Sequence, residues 1–599
     1  MDDSLVMTDN QLVENGSLGK IFTQYSYQSG TYNFAYRPLV IASFYLENIF
    51  FGKSPLVSHA INLILYIILN FIVFFLLLKF SNNVFSSLII TLLFLSLPLH
   101  TEVVDNIKNR DELFVSILGF LSIYFTITSI RNGKMHYLIL IFLLSVLGFF
   151  VKQSFIIFPF LIAISAFLYC LKLNFYKKIT IFFKYFIISG SAMLVNIFVK
   201  YYYLNKINLN RTFEYYENPL FFSSLTERVF PSIYIIGYYI SLLINPFNLS
   251  YYYGYDAVNF HDYFSLNFIL GLLFLISIIG VFIYHEKMSK LLIIGISLLF
   301  INIIAISNFA LPLPGIIAER FIFNGSLGYC ILIYLFLLFI TSYIKKIKLR
   351  NTILFLFTLL FVISFGLTSM IRNKDWKDEL TLYSHDITNI PNSVKANEML
   401  AGNYYKQFFE KNDTINLTLS EKHYLNAIKI YPSHPACLNN LGTIHFLKKD
   451  YQKAIYYYLK TLKLNPKSNV HYNLATCYLL INNIPSAKKE YESALLENPE
   501  DSKIFSHYKQ LIINNNLIVE SISFLETEAL IKHNKSLNIY LLLIDLHNEL
   551  KDYKIMLKYL KITNNIKPNI NYINYINQIE QFLANEKATK NTKLTSLEY

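Results

Sequence analysis

Apolar residues in this chain fall into long runs, and nearly all of the runs lie before Ile371. About 20 consecutive apolar residues span the hydrocarbon core of a bilayer as a helix. The pattern therefore predicts membrane segments at 56–79, 85–98, 112–130, 136–151, 154–171, 179–201, 231–248, 265–284, 290–308, 326–344 and 351–371. Short basic loops mark the cytoplasmic side: Arg131 to Lys134, then Lys172 with Lys177 and Lys178, then Lys345, Lys346, Lys348 and Arg350. Three segments separate Lys178 from the equally cytoplasmic His285–Lys290 loop, so one of them does not cross fully. The candidate is 231–248, bounded by Pro231 and broken by Pro246. Residues 1–55, 99–111, 202–264 and 309–325 are then outside the cytoplasm, with a tight outer turn at 152–153. Tyr251, Tyr252, Tyr253 and Tyr255 read as an interfacial aromatic belt. Met1-Asp2-Asp3 opens the outer loop with no apolar stretch to carry it across, so a first helix is expected upstream.

Beyond Ile371 the pattern changes to a repeat. Pro435, Leu438, Leu441, Gly442, His445, Ala454, Tyr458, Thr461 and Pro466 fit one tetratricopeptide unit. Leu474, Ala475, Tyr478, Ala487, Tyr491, Ala494 and Pro499 repeat it. Leu400, Ala401, Tyr404, Tyr424, Ala427 and Pro432 form an earlier unit with a short insertion, and a degenerate one ends near Pro568. Small residues let the two helices of a unit approach closely, and proline stops the second. The fold class is all-α: a polytopic membrane domain over 1–371, a repeat solenoid over 372–585 and a polar tail over 586–599.

Composition agrees with that division. Apolar residues make up 54% and charged residues 15% of the chain, well below the charge of a soluble domain. Mean hydropathy is +0.40. The net charge of +13 fits cytoplasmic loops of a membrane protein, and no nucleic-acid partner is expected. Four cysteines without a CxxC pair exclude a disulfide framework.

Ionisable groups at a membrane need a reason to be there. Those assigned to the outer side are Asp2, Asp3, Arg37, His100, Glu102, Arg110, Asp111, Glu112, Lys152, Glu319 and Arg320, with His59 just inside a span. Each has a plain explanation: acids favoured at a helix start for Asp111 and Glu112, a snorkelling turn residue for Lys152, an interfacial ion pair for Glu319 and Arg320. Together they place carboxylates, a histidine, arginines and a lysine at one face, as a site needing a base and several cations would.

Several strings then follow one another in a telling order: Tyr36-Arg37-Pro38-Leu39, His100-Thr101-Glu102, Asn109-Arg110-Asp111-Glu112-Leu113, Asn245-Pro246, Leu249-Ser250, Ala318-Glu319-Arg320-Phe321 and Arg372-Asn373-Lys374-Asp375-Trp376. From Asp2 to about residue 500 the chain resembles the transmembrane, tetratricopeptide-repeat O-mannosyltransferases and their bacterial relatives. The resemblance implies a C-type glycosyltransferase fold, a lipid-linked sugar donor and an acceptor outside the cytoplasm, in the bacterial inner membrane or endoplasmic reticulum. Family members carry a Tyr/Trp-Asp-Asp string after their first helix, the place that Asp2-Asp3 fits. They usually have Lys-Glu where this chain has Lys152-Gln153. The expected roles follow. Asp2 or Asp3 is the base, with Glu102 and His100 orienting the base or the acceptor. Arg110, Lys152 and Arg320 meet the donor phosphate, with Arg37 and Glu319 beside them. No metal is assigned; Asp2, Asp3 and Glu102 would be its only plausible ligands. Polyprenyl-phosphate sugar and a protein acceptor held by the repeats are the expected partners. The alternative is a non-enzymatic membrane scaffold whose repeats assemble envelope proteins. A transporter would favour charges at mid-membrane depth and paired broken helices, which the pattern lacks.

Overall fold

The computed structural model describes residues 6–595 except 8, 30–31, 171–172, 205–212, 259, 261, 263, 285–287 and 467–468. It is almost wholly helical, with one short antiparallel hairpin of Tyr27–Ser29 and Tyr32–Phe34 that pairs Tyr27 with Phe34. The chain forms two compact units, Met1–Tyr404 and Tyr405–Tyr599.

The first unit is a multi-pass membrane domain. Among the described residues, five helices are long and apolar enough to cross a bilayer: Pro55–Ser81, Ile107–Asn132, Phe175–Leu204, Glu319–Tyr343 and Ile347–Asp375. Val84–Ser96 and Pro98–Asp105, which meet at a bend of 57°, make a sixth if counted as one span. Pro98 accounts for the bend, because its ring and missing N–H break the preceding turn. The segment expected not to cross, 231–248, falls on the helix Val229–Ile244, 16 residues. That is about 24 Å against the roughly 30 Å of a bilayer core. His136–Val151, Gln153–Tyr169 and Lys290–Ile306 are equally short, so length does not single it out.

Two glycines bring three helices together at the end where the charges lie. A Cβ on Gly119 would stand 2.0 Å from the Phe158 ring, and one on Gly148 would stand 2.3 Å from Phe155. Both are below any real contact, so the helices Arg110–Asn132, His136–Val151 and Ile157–Tyr169 pack this closely only because those side chains are absent.

The second unit stacks antiparallel helix pairs: Pro435–Leu447 with Tyr451–Leu464, His471–Leu480 with Ile484–Glu497, and Leu537–Glu549 with Tyr553–Ile566. Gly442 lies under Tyr458, where a Cβ would come within 2.5 Å of the ring. This is the small-residue position of the repeat. Another helix, Ser502–Asn514, has no consensus residues to announce it, but starts at an Asp501 cap that accepts from Lys503 N at 2.8 Å.

The compact units part at Tyr404, well beyond Ile371. The helix Glu379–Asn389 and the start of Val394–Lys411 are bonded to the membrane unit instead. Asn389 Nδ2 donates to Leu249 O at 3.1 Å, and Val394 N to Tyr255 O at 3.3 Å.

Candidate active site

The antiparallel helices Arg110–Asn132 and His136–Val151 put the start of one beside the end of the other. Lys152, in the turn that follows Val151, therefore meets the acids of the first turn: its Nζ lies 2.6 Å from Glu112 Oε1 and 3.1 Å from Asp111 Oδ2. Arg37 precedes Pro38, the residue that starts the next helix, and its Nη1 also reaches Asp111 Oδ2. The Arg37 guanidinium lies 5.7 Å from the centre of the Tyr27 ring. Burial pulls the Arg37 pKa down, but Asp111, Tyr27 and Glu112 outweigh it and raise it above its ordinary value, so the cation is permanent.

A second group lies on the Pro98 bend. Glu102 accepts from Arg320 N at 2.7 Å through Oε2, and from Arg320 Nη1 through Oε1. Glu319, the neighbour of Arg320, accepts from Ser250 N at 2.6 Å and from Tyr253 OH at 3.0 Å. Glu112 is near enough to Arg320 for their charges to interact, so both groups belong to one electrostatic rim.

Exposure separates the two signs of charge. Side chains of Arg37, Arg320 and Lys152 are 23%, 19% and 14% exposed, whereas Asp111, Glu102 and Glu112 are 1%, 0% and 4% exposed. Each carboxylate thus sits behind a cation, fixing it in place while leaving part of it open. Two arginine forks and a lysine held this way can receive a phosphate, with bidentate contact from the first two and a point charge from the third.

The tetratricopeptide repeat family model matches residues 435–468. Over 454 residues the chain is 27% identical to "Protein O-mannosyl-transferase F38B6.6" of Caenorhabditis elegans, covering 72% of this chain and 60% of that one. It is 22% identical over 492 residues to "Protein O-mannosyl-transferase TMTC3" of Homo sapiens, covering 77% and 48%. A shorter match, 25% identical over 217 residues, is to "Protein O-mannosyl-transferase TMTC1" of Homo sapiens, covering 35% and 24%. The chain is thus similar to transmembrane, tetratricopeptide-repeat protein O-mannosyl-transferases. It spans between about a quarter and three fifths of the length of these relatives.

Several of the residues expected in the site have other duties. Arg110 is fully buried: Nη1 lies 2.8 Å from Glu47 Oε2, Nε donates to Asn62 Oδ1 at 2.8 Å, and Nη2 donates to Ser58 O at 3.2 Å. It presents nothing to a phosphate and is a packing residue. His100 has Tyr66 OH on Nδ1 at 2.7 Å and Ser326 Oγ on Nε2 at 2.8 Å, between the rings of Phe94 and Phe323, so it orients no substrate. Glu102 and Glu319 are sealed and act on Arg320 and on the 250–253 loop, not on an acceptor. Tyr251 and Tyr253 are buried in protein and form no lipid-facing belt. Asp2 and Asp3 lie outside the described residues. Asp111 and Glu112 do more than favour a helix start, since they hold Arg37 and Lys152. Two residues no sequence signal had marked as part of the site, Arg372 and Asp386, are paired at 3.0 Å beside the 250–253 loop. Among the described residues no group of three His, Cys, Asp or Glu side chains is placed to hold a metal ion.

The Arg110–Glu47 pair gives a direct check on this sorting. Replacing Arg110 alone by Met strands a buried carboxylate, at a cost of about 3–5 kcal/mol, read as a lower unfolding temperature in detergent. Adding Glu47→Leu should restore most of the loss, because an apolar pair of similar volume needs no charge compensation. An Arg110→Met variant as stable as the parent would show that Arg110 is not a packing residue.

Proposed function

We propose that the protein is a membrane glycosyltransferase that moves a mannose-like sugar from a polyprenyl- or dolichyl-phosphate donor to a Ser or Thr hydroxyl of a protein outside the cytoplasm. The observation that carries this reading is the trio Arg37, Lys152 and Arg320, each partly open and each held by a sealed carboxylate. The names of the relatives, protein O-mannosyl-transferases, point the same way.

In this reaction the acceptor oxygen bonds to the anomeric carbon of the sugar. The bond from that carbon to the phosphate oxygen breaks, and the lipid phosphate leaves with the electron pair. Negative charge grows on the departing phosphate, and fixed cations stabilise it without reorganising. The acceptor proton goes to a carboxylate base, assigned here to Asp2 or Asp3. The repeats recruit the acceptor and lie on the non-cytoplasmic side in this reading, which the basic Lys345–Arg350 loop and the span after it support.

Two measurements bear on this. Asp2→Asn and Asp3→Asn keep size and remove proton acceptance. Loss of the base should lower sugar transfer from polyprenyl-phosphate donor by about 10²–10⁴. Both variants transferring at the parent rate would remove the base assignment, and no transfer by the parent from any such donor would favour the scaffold. For sidedness, protease added to intact spheroplasts should clip the repeats; protection until lysis would reverse the topology.

A further inference from the structure

The loop 249–253 that flanks Arg320 contains little regular structure, a lone bridge between Tyr253 and Ile317 being its tie to the segment before Glu319. Its position is set by side chains instead. Tyr251 N donates to Asp386 Oδ2 at 2.6 Å. One residue earlier, Ser250 N donates to Glu319 Oε1 at 2.6 Å. One residue past Glu319, Arg320 N donates to Glu102 Oε2 at 2.7 Å. These short contacts to carboxylates alternate with single peptide units, so a shift at one end has little slack to absorb it.

Asp386 lies outside the membrane helices, on Glu379–Asn389, the first helix after the last span. Its other oxygen faces Arg372 Nη1 at 3.0 Å, and Arg372 is also 3.2 Å from Asp375. Arg372 therefore keeps a carboxylate when Asp386 is lost, and what disappears is chiefly the anchor for Tyr251. The ring of Tyr251 packs edge-on to Trp376 and lies 6.0 Å from the Arg320 guanidinium.

We propose that Asp386 is a positioning residue for the phosphate site: through Tyr251 and the Ser250–Glu319 contact it fixes Arg320, so the first helix beyond the membrane is part of the frame of that site. This rests on the reading of Arg320 as a phosphate ligand. It also means that a truncation meant to separate acceptor recruitment from donor binding has to begin beyond Tyr404.

The test compares Asp386→Ala and Asp386→Asn with Asp375→Asn, which removes the other carboxylate on Arg372 but no contact to Tyr251. Hydrogen exchange in nanodiscs, with no ligand added, reads the mechanical claim. Asp386→Ala should lose protection at 249–253 and 318–322 while 36–40 and 150–154 keep theirs, and Asp375→Asn should lose it at neither. Binding of polyprenyl monophosphate reads the positional claim: Asp386→Ala should weaken it about tenfold, the loss expected for one charge-assisted hydrogen bond. Asp386→Asn, whose amide oxygen can still accept from Tyr251 N, should fall between that variant and the parent, and it carries the test by itself if the alanine variant does not fold. Unchanged exchange at 318–322, or loss of protection at all four segments, overturns the proposal. Selective loss of protection with unchanged binding overturns it too, since Arg320 would then move without consequence. A parent that binds no polyprenyl monophosphate while the selective exchange pattern holds would refute the donor reading and leave the link from Asp386 to Arg320 supported.

Discussion

A carboxylate taken out of water must keep a cation or several N–H donors beside it, or it takes up a proton instead. Asp111, Glu112 and Glu102 are buried at one end of the membrane domain and each keeps a cation beside it, whereas Glu319, equally buried, has one backbone N–H and one hydroxyl. Asp111 and Glu112 share Lys152, and Asp111 also takes Arg37. Glu102 closes on the side chain and the backbone of Arg320, while Glu319 takes the backbone of Ser250 and the hydroxyl of Tyr253. The bend at Pro98, the close packing at Gly119 and Gly148, and the turn at Lys152 serve this arrangement, because they bring those groups within reach.

Compensation is needed everywhere, but its form decides what a charge can do. Arg110 and Glu47 pair inside the protein, Asn62 and Ser58 take further donors of Arg110, and neither side chain is open to a ligand. Arg37, Lys152 and Arg320 are compensated from behind only. Such cations are held still and partly open, so a phosphate brought to them would need no large rearrangement of side chains. Arg372 is nearly buried between Asp375 and Asp386, and its value to the site lies in what Asp386 does with its other oxygen.

Much of this was legible in the amino-acid order. The spans depend on summed apolar content, which any window of the chain reveals, and the repeats depend on a few small and aromatic residues such as Gly442 and Tyr458 that must meet. The ordered strings around Arg37, Glu102 and Arg320 picked out the rim. The facing of individual residues was not legible. Arg110 and Asp111 are neighbours, yet successive helical residues point about 100° apart, and only packing decided which met Glu47 and which met Arg37. Aromatic content likewise marked Tyr251 and Tyr253 without saying whether lipid or protein would cover them. Asp386 carried no signal, because its role depends on a backbone N–H far away in the chain.

The claim at the centre of this account is that three carboxylate-held cations form the phosphate site. Binding of polyprenyl monophosphate to the protein in nanodiscs, with Arg37→Gln, Lys152→Gln and Arg320→Gln taken one at a time beside the Arg110→Met, Glu47→Leu double variant, measures it directly. Each single variant is expected to bind about 10- to 100-fold more weakly, the range for one hydrogen bond to a charged group, with the double variant unchanged. Full affinity in all three single variants, or its loss in the double variant alone, would contradict the account.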